Sequence, residues 1–258
     1  MKLISRSFMA LVGACAFGGT ALAEGRFLSD GLTEEEATKQ YVVDVGIAGV
    51  VSPKYDGADD YIIYPFPIIS FAKFYLPGIG EVKDGVTKKG VFLYPSFGYV
   101  GGRSPNDDPK LAGTKKINWA GEVGLGAGFR YDWFRAFLEV RRGFNGYNGF
   151  VGRAGMDAIF EPHDRWTLSV GPRVDFADDN YFDTYFGMPG SFDPDGGFKS
   201  VGAVARVSFE ATEDVSLHLQ GGYDRLIGDA EDSPVTVSDD QFTAAFGVTY
   251  RFDFDLWK

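Results

Sequence analysis

The stretch Phe242-Thr243-Ala244-Ala245-Phe246-Gly247-Val248-Thr249-Tyr250-Arg251-Phe252 decides the fold. Phe242, Ala244, Phe246, Val248, Tyr250 and Phe252 alternate with Thr243, Ala245, Gly247, Thr249 and Arg251. A period of two sends these sets to opposite faces of one strand. One face is aromatic and aliphatic, and the other is small, polar and charged. That is the pattern of a lipid-facing strand that closes a membrane barrel.

The beginning of the chain agrees. Lys2 and Arg6 supply a positive region, residues 8–18 an apolar core too short to span a bilayer, and Ala21-Leu22-Ala23 a small-residue cleavage site. Residues 1–23 are therefore expected to be a removed signal peptide. The rival reading of Val12-Gly13-Ala14-Cys15 as a lipoprotein box would truncate the apolar core and leave the Ala-x-Ala unused. Cys15 is the only cysteine, so its removal leaves no disulfide and no thiolate metal site. Residues 24–40, with Glu34, Glu35 and Glu36, read as a polar periplasmic tail, either disordered or a brief helix.

Beyond residue 24 no apolar run approaches the ~18 residues that a membrane helix needs, so a spanning chain must be a closed barrel. The 35 Gly, 24 Phe and 13 Tyr suit an all-β chain with aromatic belts. Residues 41–258 are expected to form one transmembrane antiparallel up-and-down β-barrel, without a linker. Alternation recurs in 117–131, 134–141, 166–176, 201–210 and 215–224. A soluble sandwich would alternate too. The export signal and the closing strand select the inverted arrangement, in which Glu122, Arg130, Arg135, Glu139, Arg141, Arg153, Asp157, Arg173, Asp175, Arg206, Glu210 and Arg251 line the lumen. Charges of both signs at this density are expected to pair or to hold ordered water, because an isolated charge inside would be costly.

Turn lengths set the topology. Tyr131-Asp132-Trp133, 161–165 and 211–214 are tight, whereas 52–60, 101–116, 144–149, 177–196 and 227–240 are long and polar. Bacterial barrels place short turns in the periplasm and long loops outside. Ten strands follow, near 41–51, 61–72, 89–100, 117–130, 134–143, 150–160, 166–176, 197–210, 215–226 and 241–252. Residues 73–88 become a long periplasmic connection. Promoting that segment and 181–187 to strands gives the alternative of twelve. Trp133, Trp166 and Trp257 fall at the periplasmic rim, where indole rings favour the interface. Pro65, Pro67, Pro95 and Pro172 lie inside strands and each removes a ladder donor, so locally broken pairing is expected there.

The outer loops are acidic, with Asp56, Asp59, Asp60, Asp107, Asp108, Asp178, Asp179, Asp239 and Asp240 among their carboxylates. They suit either divalent cations shared with anionic headgroups or plain turn formation, and no segment has the spacing of a dedicated calcium loop. Gly124-Leu125-Gly126-Ala127-Gly128 lacks dinucleotide spacing and reads as small lumen-facing positions in a strand. His218 stands near Ser216 and Asp224, but nothing marks an oxyanion hole. No catalytic site, cofactor, dedicated metal site or nucleic-acid patch is expected.

Several blocks in order carry a resemblance. Pro53, Tyr55, Gly57 and Asp60 are followed by Tyr64-Pro65-Phe66-Pro67, Val170-Gly171-Pro172, Ala177-Asp178-Asp179-Asn180-Tyr181 and Gly197-Phe198-Lys199-Ser200-Val201-Gly202. Residues 223–235 and the closing Tyr250-Arg251-Phe252 complete them. The chain resembles the MipA/OmpV family of outer-membrane proteins. One departure is that this chain continues past Phe252 with Asp253-Phe254-Asp255-Leu256-Trp257-Lys258. The resemblance implies a non-catalytic scaffold in the outer membrane of a Gram-negative bacterium, contacting outer-membrane lipid. It would join a lytic transglycosylase to a murein synthase in the periplasm. The segment 73–88, with Lys73, Glu81, Lys83, Asp84 and Lys88, is the largest surface for such a partner. The alternatives are a narrow cation-preferring pore, a solute-binding barrel, or a surface adhesin using 177–196 and 227–240.

Overall fold

The computed structural model describes residues 34–76, 80–83 and 89–256. A short helix α1 (Glu34–Thr38) precedes β1 (Tyr41–Pro53), β2 (Tyr61–Leu76), β3 (Gly80–Lys83), β4 (Lys89–Val100), β5 (Ala120–Tyr131), β6 (Phe134–Phe144), β7 (Phe150–His163) and β8 (Trp166–Ala177). Helix α2 (Asp179–Tyr185), β9 (Gly197–Glu210), β10 (Val215–Leu226), α3 (Asp229–Asp232) and β11 (Asp240–Phe254) complete the chain. The expected signal peptide, Asp84, Lys88 and Trp257 lie outside the described residues.

All strand pairs are antiparallel, in the order β3-β2-β1-β11-β10-β9-β8-β7-β6-β5-β4. The first long strand therefore pairs with the last, from Tyr41 opposite Phe254 to Val51 opposite Ala244. The residues beyond Phe252 extend this closing ladder, and Asp255 accepts the Gln40 amide at 2.8 Å. Ten strands are long, as the turn lengths require. β3 is a four-residue addition that pairs only with the end of β2, from Lys73 opposite Lys83 to Leu76 opposite Gly80. The expected plain connection at 73–88 is thus part hairpin. The twelve-strand alternative fails because residues 179–185 are helical: Asp178 caps the N-terminus by accepting from the Tyr181 amide, and Tyr181, Phe182 and Tyr185 bury one side.

Which face meets which solvent follows from exposure. Ile63 is 80% exposed, Val91 77% and Leu125 72%, while Arg173 is 2% exposed. Apolar surface this extensive is incompatible with water and matches hydrocarbon. Aromatic side chains crowd both ends of the span. Tyr131, Trp133, Trp166 and Tyr250 mark the tight-turn end, and Tyr61, Trp119, Phe144 and Phe242 the long-loop end. Trp119 stacks on Tyr99 and meets Phe144 edge-on. At the tight-turn end, Asp132 takes a positive φ of 45°, which Asp tolerates better than most residues.

The inner face needs glycine wherever a ring crosses it. Gly126 lies under Tyr94 and Gly128 under Phe92, so a Cβ at either position would fall inside the neighbouring ring. Pro172 behaves as its missing donor demands. The β7–β8 ladder joins Gly155 to Arg173 and Ala158 to Val170 but skips the residues between. The Arg173 guanidinium donates to the Met156 carbonyl at 2.9 Å in that gap.

Phe246 sits mid-strand on the lipid face, opposite Gly49 and Leu219. Phe246→Arg should cost about 2–4 kcal/mol in reversible unfolding from phospholipid vesicles. The inward Ala245→Ser, at a position next to it, should change stability far less.

Candidate functional site

The inner wall of β5–β8 is a block of paired charge. Arg135 on β6 stands directly opposite Asp157 on β7 in the ladder, and its Nε donates to Asp157 Oδ2 at 2.8 Å. Arg173 on β8 takes the other carboxylate oxygen at 2.7 Å. Arg153, opposite Asp175, holds it through two nitrogens, with Nη2 at 2.7 Å. Arg141 bridges Glu122 at 2.9 Å and Glu139 at 2.6 Å. Tyr94 and Ser96 on β4 donate to Glu139 at 2.7 and 3.0 Å, and Tyr147 donates to Glu122 at 2.7 Å.

Four guanidinium groups thus face four carboxylates, so the block is close to neutral. Every one of these charged groups is buried. Burial of this kind is tolerable only because each charge is paired and hydrogen-bonded. Each carboxylate of this part of the wall is matched by an arginine, so it presents no excess of one sign.

The remaining expected lumen residues are more dispersed. Arg206 is buried and donates twice to Gln220 Oε1, at 3.0 and 2.7 Å. Arg130 is buried with Glu161 at 3.4 Å. Arg251, near the periplasmic end, holds Asp44 at 2.8 Å and reaches Glu36 of α1 at 3.5 Å. Glu210 is only half-buried. His218 bonds Ser208 through Nδ1 at 3.0 Å and Thr249 through Nε2 at 2.9 Å. These hydroxyls lie on the neighbouring strands, Ser208 on β9 and Thr249 on β11.

The outer mouth is capped. Tyr147, Tyr181, Phe182, Tyr185 and Phe186 join Leu111, Ile117, Leu226 and Val235 in one buried apolar cluster drawn from four outer loops and the strand ends. Tyr181 meets Tyr147 edge-on at 5.0 Å. Beneath the cap, Asp56 accepts from Lys199 Nζ and the Tyr181 hydroxyl, both at 2.8 Å. Burial opposes the ionisation of Asp56, but the Lys199 ammonium and the Tyr181 hydroxyl outweigh it and hold the carboxyl below its ordinary range.

Sequence reasoning missed this cap and missed Arg103. Arg103 is buried, and none of its three side-chain nitrogens has a hydrogen-bond partner among the described residues. Its guanidinium lies 5.4 Å from the centre of the Tyr55 ring. Burial lowers the Arg103 pKa and pushes the Tyr55 hydroxyl up to about 12. The signal for the cap was present in the spacing of Tyr181, Phe182, Tyr185 and Phe186, which suits one face of a helix.

Most loop carboxylates organise the loops themselves. Asp178 accepts from the Phe150 amide, Asp179 from Gly196, Asp229 from Asp195 and Asp107 from Ser104. Arg225 gathers Glu231, Asp239 and Asp240 at the exposed rim. Asp59, Asp60 and Asp108 come within 4.8 Å of one another.

At the opposite end, β2 overshoots its neighbours to form the hairpin with β3. Glu81 and Lys83 lie on β3, opposite Tyr75 and Lys73. Lys73 does not belong to an exposed docking surface as expected: it is 4% exposed, in a ladder position between Val42 of β1 and Lys83 of β3.

A family model described as MltA-interacting protein MipA matches residues 45–252, most of the chain. No curated protein matches. Among solved structures, Neisserial surface protein A is 13% identical, with 83% of this chain and 98% of that chain covered and a TM-score of 0.28. OmpT, an outer membrane protein of Vibrio cholerae, is 9% identical, with 82% and 97% covered and a TM-score of 0.34. OprD from Pseudomonas aeruginosa is 12% identical, with 88% and 98% covered and a TM-score of 0.32. Likenesses of this depth carry no argument about function.

Two outcomes follow from the paired interior. Asp157→Leu leaves Arg135 and Arg173 buried without their carboxylate, and should cost about 3–5 kcal/mol in urea unfolding from vesicles. Replacing all three by Met, Leu and Met should recover most of that loss. For Asp56, a depressed pKa means stability present above its ordinary 3.8 and lost as pH falls through the lower folded value. Protection factors across 179–185, each taken against the intrinsic exchange rate at the same pH, should therefore fall on acidification below that value. Asp56→Asn should give fast exchange at neutral pH and no acid step.

Proposed function

Because the chain belongs to the MltA-interacting protein MipA family, we propose that this barrel in the outer membrane of a Gram-negative bacterium is a non-catalytic anchor for murein-remodelling enzymes. Its partners are a periplasmic lytic transglycosylase and, through it, a murein synthase. The observation that carries this reading is the disposition of the two ends. The outer mouth is filled by packed aromatic side chains and the interior by paired charge. Both features favour an anchor over a conducting pore.

The periplasmic end differs in having an extension. The β2–β3 hairpin projects past the ladder that β2 makes with β1, whose last pair is Val42 with Lys73. Backbone held in a hairpin is an inexpensive docking element, since little ordering entropy remains to be lost on binding. The contact is assigned to 81–88, which includes Glu81, Lys83, Asp84 and Lys88. Lys73 is excluded by its burial.

Replacing 81–88 with an Asn-Gly turn should leave heat-modifiable migration of the folded barrel unchanged and cut recovery of a lytic transglycosylase in pulldown at least fivefold. Unchanged recovery from a folded variant would remove the contact from this segment.

A further inference from the structure

Residues 39–41 are tied to the residues that follow Phe252. Lys39 Nζ meets an Asp253 carboxylate oxygen at 3.0 Å. The Gln40 amide donates to Asp255 Oδ1 at 2.8 Å, and the Gln40 side-chain oxygen accepts from the Leu256 amide at 3.1 Å. This exchange is reciprocal, so side chains continue the β1–β11 ladder beyond its end pair of Tyr41 and Phe254. The rings of that pair stack with centres 5.3 Å apart.

Helix α1 comes directly before the tied segment and turns one side chain inward. Glu36 is buried, and its carboxylate reaches Arg251 on the inner face of β11 at 3.5 Å. Glu35, one residue earlier, is exposed. The Lys39 amide donates to the Glu36 carbonyl at 3.1 Å, which holds the helix close to the ties. An isolated helix of five residues is not stable in water. Its place must therefore come from contacts: Glu36 with Arg251 on the inner side, and the ties at 39–41 on the rim.

The two ends of the barrel are closed by different means. The outer cap is a packed apolar cluster of rings. α1 is held by ion pairs and hydrogen bonds, and the Lys39–Asp253 pair is partly exposed, where each such pair contributes little. Release also leaves no orphaned charge. When Glu36 departs, Arg251 keeps both oxygens of Asp44, at 2.8 and 3.3 Å, while Glu36 and Lys39 pass to water.

We propose that α1 is a releasable strap at the periplasmic end of the barrel, seated by a clasp of Asp253, Asp255 and the Leu256 amide, with Arg251 as its inner catch. The strap has a seated and a released state, and the residues past Phe252 set the balance between them. This role is independent of the anchor reading and of the contact at 81–88.

The test is double electron–electron resonance on the protein in phospholipid vesicles, with spin labels at Glu35→Cys and Asp164→Cys. Both positions are exposed, one on α1 and the other in the turn between β7 and β8. A narrow distance distribution is expected for the seated strap, and a broad one in the otherwise unaltered protein would overturn the proposal. Asp253→Asn together with Asp255→Ala should at least double the width. An unchanged width in that variant would remove the clasp. Labels at Asp164→Cys and Glu213→Cys, on two turns of the wall, should keep one width throughout, and broadening there as well would mean a loosened barrel and overturn the strap. Glu36→Gln should also broaden the α1 distance while leaving the urea midpoint of the barrel unchanged, whereas Asp44→Asn should lower that midpoint. A fall in the midpoint for Glu36→Gln equal to that for Asp44→Asn would overturn the assignment of Arg251 as a releasable catch.

Discussion

Hydrocarbon supplies no hydrogen-bond partner and no counter-ion, so a chain that crosses it must satisfy its backbone groups internally and turn its charges away from the lipid. An antiparallel sheet whose first long strand pairs with its last meets the first demand around most of the circumference. Strict alternation meets the second, sending Phe246, Leu219 and Leu125 outward and Arg141, Asp157 and Arg173 inward. The two demands are coupled, because a register slip by one residue would exchange the faces along a whole strand.

Once the charges are inside, their own requirements shape the interior. A guanidinium removed from water needs carboxylates at hydrogen-bond distance, and the ladder provides them by placing Arg135 opposite Asp157 and Arg153 opposite Asp175. Arg141 between Glu122 and Glu139, and Asp157 between Arg135 and Arg173, extend the pairs into a network that spans four strands. The outer end is closed by a different means, a loop-borne aromatic cluster resting on the Asp56–Lys199 pair. The interior therefore has three zones: an ionic wall, an aromatic cap, and an apolar side formed by Ala48, Val50, Tyr64, Ile68 and Ala245 of β1, β2 and β11.

Much of this was legible in sequence. The period-two alternation identified the outward residues of β11, and the tight turns fixed ten long strands with boundaries within a few residues. The inward charges were legible as a set because each shares a face with its strand neighbours two residues away. Their pairing was not, since it depends on cross-strand register, which turns such as Asp132-Trp133 determine in three dimensions. Helix α2 was missed because a segment rich in Asp, Asn and Gly reads as loop until the i, i+4 relation of Tyr181 to Tyr185 is given weight. Of the four strand prolines, Pro172 meets the expected gap in pairing, whereas the β1–β2 and β4–β5 registers run unbroken past Pro65, Pro67 and Pro95. Arg103 carried no sequence signal, because a lone arginine in a polar loop ordinarily points to water.

The most direct measurement of the central inversion is spin-label accessibility along the closing strand, with single cysteines at 242–250 in a cysteine-free background and the protein in phospholipid vesicles. Labels at Phe242, Ala244, Phe246, Val248 and Tyr250 should collide freely with oxygen dissolved in the bilayer, while those at the intervening positions should not, giving a period of two. Flat accessibility, or oxygen contact at Thr243, Ala245, Gly247 and Thr249 in place of their neighbours, would contradict it.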